Sequence, residues 1–401
     1  MPASAPSSGP AACGGLSPAA YRPPASLYLH IPFCRAKCSY CDFSSYPLPA
    51  GWYGPYVEAL LAEVRAAGAA WQRPPLETLY IGGGTPTALP SALLAQLLQA
   101  VRDAFAVRPG AEITCEANPG TVTAESLAAL QQAGVNRLSL GVQSFQPHFL
   151  QLLGRIHSAA QAREAVALAR RAGLQNVNLD LIYGLPGQAL ADWQSDLEDA
   201  LALEPEHLSL YSLILEPGTP LEARVACRAL PAPSPDLAAD MYEFGQARLA
   251  EAGFTHYEIS NWARPGLESR HNLTYWHDLP YAGCGAAAHS WLRGRRCANV
   301  ARPEEYIARW RGGRPLTAEE ECTTPALERA EVMILGLRLL AGVSRPEFRA
   351  RFGADPTDLY AGAIAESVAD GLLEVTAESI RLTPHGLLLG NQVFVRFLPD
   401  A

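Results

Sequence analysis

The sequence is poor in lysine, in net positive charge and in long apolar runs. Lys37 is the only lysine, and the other basic residues are arginine, a composition typical of a GC-rich genome and without functional content. The net charge of −9 disfavours nonspecific nucleic-acid binding, which needs cations to neutralise phosphates. No stretch reaches the roughly 18 apolar residues of a transmembrane helix. Residues 1–24 lack the basic start and apolar core of a secretory signal, and Arg22 is their only basic residue. Rich in Pro, Ala, Ser and Gly, they read as a disordered tail with Cys13 incidental. Nine cysteines without an even framework point to a reducing cytoplasm rather than a disulfide scaffold.

What is present is a chain of 401 residues, long enough for two or three domains with sizeable cores. Short runs rich in Leu, Ile, Val and Tyr recur at 27–31, 77–82, 112–117, 137–142, 176–182 and 208–214, as buried parallel strands do. Amphipathic stretches near 52–70, 90–106, 123–134, 158–173 and 189–203 separate them, and another follows near 236–252. Thr123 and Ser158 suit helix N-caps, and Gly134 and Gly173 suit C-caps. Six strand–helix units in a row predict an α/β fold, a partial (β/α)6 barrel, with a doubly wound open sheet as the alternative. Thr255–Trp262 reads as strand running into loop, 303–370 as largely helical, 372–383 as a hairpin and 384–396 as a last helix. Helices plus a hairpin suggest a winged-helix-like C-terminal module. Residues 321–401 hold seven Arg against eleven Asp or Glu, 7 − 11 = −4, so this module suits a lid or docking role over DNA.

The stretch His30-Ile-Pro-Phe-Cys34-Arg-Ala-Lys-Cys38-Ser-Tyr-Cys41-Asp-Phe43 follows the first strand. Three thiols within so short a loop can aim at one point. They suit a 4Fe–4S cluster with one iron open to a small chelating ligand. A zinc site of Cys34, Cys38, Cys41 and His30 is the competing reading.

In a parallel barrel the site lies at the C-terminal strand ends, so the residues there are informative. They are Gly82-Gly-Gly-Thr85-Pro-Thr87, Cys115-Glu116-Ala-Asn118-Pro119, Gly141-Val-Gln143-Ser-Phe145 with Arg155 beyond it, and Asp180-Leu-Ile-Tyr183-Gly184-Leu-Pro186-Gly187. Glycines let backbone approach a ligand. Glu116 and Asp180 suit ribose hydroxyls or an amine, and Gln143 and Arg155 suit a carboxylate. Each taken singly is as well explained by an ordinary salt bridge or polar cap. Four polar or glycine-bearing strand ends beside one cysteine loop are not.

These motifs, in this order, resemble the radical S-adenosylmethionine (SAM) enzymes, and most closely the oxygen-independent coproporphyrinogen III oxidase family. The likeness runs from Tyr28-Leu-His30-Ile-Pro-Phe-Cys34 through the C-terminal module. It implies that Cys34, Cys38 and Cys41 ligate the cluster. It also implies that Tyr28, Gly83, Gly84, Thr85, Glu116, Gln143, Arg155 and Asp180 line the SAM site. The corresponding division is a tail at 1–24, a radical SAM core at 25–255, a connecting segment at 256–300 and a C-terminal domain at 301–401.

Two features distinguish branches of that family. Members that decarboxylate coproporphyrinogen usually carry a cysteine two residues past the third ligand, where this chain has Phe43. Arg270-His271-Asn272-Leu-Thr-Tyr275-Trp276 is similar to the HNxxYW motif of the heme-chaperone branch. The resemblance therefore implies a cytoplasmic heme carrier with heme as cargo, heme-acceptor proteins and an electron donor as partners, and neither nucleic acid nor a transmembrane segment. His271, Asn272, Tyr275 and Trp276 are the candidate heme contacts, with His277, Cys284 and His289 weaker ones. Radical decarboxylation of coproporphyrinogen III to protoporphyrinogen IX is the alternative, so whether the protein is an enzyme stays open here.

Overall fold

The structure is a computed structural model and describes residues 14–399. Six parallel strands form its centre: β1 Ser26–Ile31, β2 Pro75–Gly83, β3 Ala106–Ala117, β4 Arg137–Gln143, β5 Asn176–Tyr183 and β6 His207–Ser212. Each pairs with the next in chain order. A doubly wound sheet reverses its order at a switch point. This one does not, so that alternative is set aside. The helices between the strands are α1 Tyr53–Ala70, α2 Ser91–Ala104, α3 Ala124–Gln132, α4 Pro147–Leu152, α5 Ala159–Arg171 and α6 Leu190–Leu201. Thr123 caps α3 and Ser158 caps α5, each accepting from the backbone N–H three residues on.

The strands alternate. Leu79, Ile81, Leu138, Leu140, Val177, Leu179, Leu208 and Leu210 belong to the main buried core. Each contributes about 1.5–3 kcal/mol relative to exposure. The opposite face is polar. Pairing aligns Tyr28, Tyr80, Thr114, Arg137 and Asn176 in one rung. Glu116, Ser139, Asn178 and His207 form the next rung, toward the C-terminal ends. The strands are therefore not uniformly apolar. They read apolar outward and polar inward with period two.

Two helices follow β6, α7 Pro220–Ala226 and α8 Pro235–Glu251. The segment expected as strand into loop is a pair of short strands, β7 Thr255–Glu258 and β8 Asn261–Ala263, and β8 lies antiparallel to β6. After α9 Arg270–Trp276, strand β9 Tyr281–Cys284 joins the other edge parallel to β1. Strands β10 His289–Leu292, β11 Arg295–Asn299 and β12 Thr317–Cys322 extend that edge, giving a twelve-stranded mixed sheet. β12 falls inside the stretch expected to be helical. Its Ala-Glu-Glu-Glu run has no apolar period because it is an outermost strand, and charge protects such an edge from further pairing.

The C-terminal module runs from α10 Pro303–Arg311 and α11 Pro325–Gly336 through a strand at Val343–Ser344 and further helices to a hairpin, Leu373–Val375 and Ser379–Leu382. Helix, strand, helices, strand, strand is a winged-helix arrangement. Phe348, Ile380, Phe394 and Phe397 anchor its own core. The expected last helix is two, Pro384–Leu388 and Gly390–Phe394, broken at Leu389, where φ is −119°.

The expectation of disorder to residue 24 does not hold for 14–24. Pro18–Tyr21 forms a 3-10 turn with Ala20 fully buried against Trp291. The Ser17 N–H donates to Glu328 Oε2 at 2.9 Å. Proline-rich composition masked these few anchoring contacts. Cys13 and the rest of that segment lie outside the described residues. Glu328 belongs to a buried ionic cluster that ties the module to the sheet. Arg351 pairs with Glu328 at 2.8 Å and Asp278 at 2.9 Å, while Arg296 pairs with Asp278 at 3.1 Å and Glu331 at 2.6 Å.

Candidate cluster and cofactor site

The cysteine loop and the glycine loop are hydrogen-bonded together. Gly84 N donates to Ile31 O at 2.8 Å and Thr85 N to Phe33 O at 2.7 Å. The contact leaves no room for side chains. A Cβ on Gly84 would lie 2.6 Å from Phe33 O, and one on Gly83 (φ +112°) 2.5 Å from the His30 ring. These glycines thus have a packing reason besides any ligand.

Cys34, Cys38 and Cys41 are free thiols that line one cavity of about 110 Å³ at the strand ends. Each sulfur has a polar neighbour. Arg155 Nη1 donates to Cys38 Sγ at 3.3 Å, Thr85 Oγ1 lies 3.6 Å from Cys34 Sγ, and Ser45 Oγ lies 3.9 Å from Cys41 Sγ. Burial pushes the Cys41 thiol up. His30 is committed elsewhere. Its Nε2 donates to Ser44 O at 2.9 Å, so Nδ1 accepts from the Tyr28 hydroxyl at 3.0 Å. With both nitrogens used, His30 cannot complete the zinc set in this arrangement.

The same cavity is lined by Gly83, Gly84, Glu116, Gln143, Arg155 and Asp180, six of the eight residues expected around SAM. Thr85 sits just behind, accepting from Asn118 Nδ2 at 2.7 Å. Tyr28 lies deeper, stacked on Tyr80 at 6.2 Å between ring centres. Glu116 accepts from the Tyr80 hydroxyl at 2.8 Å and from Gly83 N at 3.0 Å. Burial outweighs these bonds and raises its carboxyl to about 7. Asp180 accepts from Asn178 Nδ2 at 2.8 Å and Ser139 Oγ at 3.3 Å, and burial raises it too. A bulge between Gly141 and Gln143 turns the end of β4, with Gln143 at φ 71°. Gln143 Oε1 and Arg155 Nε are buried without a partner. An acceptor, a cation and two carboxylates therefore face one small space, which fits an amino-acid ligand that also carries hydroxyls.

Sequence reasoning missed Ser139 and gave Asn118, in the strand-end motif after β3, no role. Both line the cavity, and Ser139 stands at an inward position of the alternating run Arg137-Leu-Ser-Leu-Gly141. Period two would have found it.

The candidate heme contacts lie at the other end of the strands. Helix α9 closes the N-terminal side, where Glu112 on β3 accepts from Arg270 N at 2.9 Å and His271 N at 3.0 Å. Thr274 Oγ1 lies 2.8 Å from Ser26 Oγ on β1. His271 is buried with Nδ1 2.8 Å from Thr78 Oγ1 and Nε2 2.8 Å from the Tyr275 hydroxyl. Burial lowers it to about 3, so the ring is neutral. In this conformation His271 offers no nitrogen to an iron. Asn272, Tyr275 and Trp276 are half-buried, and the Arg338 guanidinium lies 4.6 Å over the Trp276 ring. Cys284 is buried, whereas His277 and His289 are exposed. One residue links the two ends: the Tyr80 ring lies tilted 5.2 Å from that of His271, and its hydroxyl bonds Glu116.

Residues 28–200 match the model of the radical SAM superfamily, and residues 324–389 that of the HemN C-terminal domain. The chain is 39% identical to the heme chaperone HemW of Bacillus subtilis (strain 168), over 94% of this chain and 99% of that one. It is 38% identical to HemW of Escherichia coli (strain K12), again over 94% and 99%. The mouse mitochondrial radical S-adenosyl methionine domain-containing protein 1 is 37% identical over 94% and 88%. Among solved structures, E. coli coproporphyrinogen III oxidase HemN, a radical SAM enzyme, superposes with a TM-score of 0.84 at 25% identity, covering 94% of this chain and 90% of that one. The chain belongs to the radical SAM superfamily and, within it, to the family of the heme chaperone HemW.

Proposed function

We propose that this protein is a cytoplasmic heme carrier that binds heme and passes it to acceptor hemoproteins. Cys34, Cys38 and Cys41 would hold a 4Fe–4S cluster reduced by a separate electron donor. The observation that carries the cofactor reading is the single cavity that collects three free cysteines, two carboxylates, Gln143 and Arg155. A bound cluster with an open iron supplies a site for the amine and carboxylate of SAM and an electron for its sulfonium. Around it, Arg155 and the Gln143 Nε2–H would take the ligand carboxylate, and Glu116 and Asp180 its hydroxyls or amine. Gly83, Gly84 and Thr85 would bring backbone against it. Tyr28 would act from behind, holding His30.

The heme role is supported by likeness to HemW over 94% of the chain and by Phe43, which is 65% exposed where the decarboxylating branch carries cysteine. The segment at His271, Asn272, Tyr275 and Trp276 would respond to heme. Axial ligation by His271 requires α9 to leave the barrel end, because Thr78 and Tyr275 hold both of its nitrogens. The C-terminal domain at 301–401 would dock the acceptor, and 256–300 would connect it to the core at 25–255.

The test is anaerobic transfer. Cluster-loaded protein is charged with heme, separated from free heme and mixed with an apohemoprotein whose holo spectrum is distinct. Stable uptake and appearance of the holo acceptor are expected. Failure to retain heme would overturn the carrier reading. The second reading, coproporphyrinogen III oxidase, is favoured by the superposition on HemN.

A further inference from the structure

One charge inside the strands has no part in the site so far. Arg137 opens β4 and is 2% exposed. Alternation sets it on the inner face with Ser139 and Gly141, one rung below Glu116. Its rung neighbours are Thr114 on β3 and Asn176 on β5. Arg137 Nε, Thr114 Oγ1 and Asn176 Oδ1 are all buried without hydrogen-bond partners. A cation buried with unfilled donors works against stability, so packing alone does not account for Arg137. Arg137 does not line the cofactor cavity. Residues two apart on a strand are roughly 6–7 Å apart along it, which sets Arg137 at the floor below Ser139.

Its charge reaches the inward-facing groups of every neighbouring element. It favours the ionised forms of Glu116 on β3 and Asp180 on β5, and it also bears on Tyr80 on β2, His207 on β6, Tyr257 on β7 and His271 on α9. The remaining groups facing Glu116 are Asp180, which opposes its ionisation, and the Tyr80 hydroxyl and Gly83 N–H, which favour it. Tyr28 and Tyr275 face its charge from β1 and α9.

We propose that Arg137 is a positioning residue: an uncommitted cation at the cavity floor that favours the carboxylate forms of Glu116 and Asp180, the acceptors for the cofactor's hydroxyls and amine. Arg137 itself touches no ligand. An arginine bound to either carboxylate would occupy the lone pairs the ligand needs, whereas one held a rung lower supplies charge and leaves them free. This rests on the proposed binding of SAM in the cavity.

The test uses full-length protein, wild type and R137M, R137K and E116Q. The first readout needs no ligand. The protonated-carboxyl infrared band that E116Q removes is followed against pH. In R137M it persists to a higher pH than in wild type, and R137K brings it back toward wild type. An unmoved band in folded R137M overturns the proposal. The second readout is calorimetric SAM binding to anaerobically cluster-loaded protein, taken as the variant-to-wild-type ratio at each pH so that ligand titration cancels. R137M is expected to bind weaker near pH 7 and to recover toward pH 9, because a carboxyl that titrates near 7 and is raised by about one pH unit is about fivefold less ionised at pH 7. A deficit equal at every pH marks a packing defect and overturns the proposal. If wild type binds no SAM while the band still moves, the SAM reading fails and the charge role of Arg137 stands.

Discussion

Replacing Gly84 by alanine tests how tightly the glycine loop sets the cysteine loop. The new Cβ would sit 2.6 Å from Phe33 O and 3.0 Å from Phe33 C and N, whereas ordinary contact begins at 3.4 Å. The backbone must therefore separate by 3.4 − 2.6 = 0.8 Å. The atoms it meets are main chain, directly before Cys34, and no side chain can swing aside. Moving Phe33 by that amount stretches the 2.7 Å bond from Thr85 N beyond hydrogen-bonding distance and strains the 2.8 Å bond from Gly84 N. Two bonds at about 1 kcal/mol each, with some strain, give a loss of roughly 2–3 kcal/mol. Because Cys34 moves with Phe33, iron loading should fall with stability. The assay is a urea midpoint on the apoprotein and iron content after anaerobic reconstitution. Gly362→Ala is the control, since a Cβ there meets nothing within 4 Å, and it should be neutral or stabilising by up to about 1 kcal/mol. G84A with wild-type midpoint and iron content would refute the reasoning.

Other outcomes follow from the same contacts. Arg351→Ala leaves Asp278 and Glu328, both 1% exposed at the side chain, without a shared cation, and should lower stability by about 3–5 kcal/mol in a urea titration. His271 is lowered to about 3 from 6.5, so the unfolded chain takes up its proton first. Its contribution is complete above about pH 6.5 and is lost as pH falls from there toward 3. Urea midpoints of wild type should therefore drop more steeply from pH 7 to about pH 5 than those of His271→Gln, and parallel slopes would contradict the assignment. Arg338→Ala removes the cation over Trp276 and should raise proteolytic cutting between sheet and C-terminal module, with little effect on iron content.

The six strands and the helices between them were legible because the outward face of most strands is a run of Leu, Ile or Val, and because Thr123 and Ser158 act locally as caps. The cavity was legible through the rule that strand ends converge, which brought together residues as distant as Cys34 and Asp180. Less was readable where long-range pairing decides the outcome. β12 is a strand because β11 offers it an edge, and its glutamates carry no period of their own. Ser17 is held by Glu328, 311 residues away. The burial of His271 depends on Thr78, 193 residues away, and no local pattern distinguishes a histidine bonded in that way from one facing solvent. Nothing local to Arg137 shows that β3 and β5 enclose it.

The most direct test of a heme carrier built on a radical SAM core is a single anaerobic comparison. Cluster-loaded, reduced protein receives SAM with either coproporphyrinogen III or heme. The account predicts that coproporphyrinogen III is recovered unchanged while heme is retained and then moved to an apohemoprotein. Formation of protoporphyrinogen IX, with no heme retained, would contradict it.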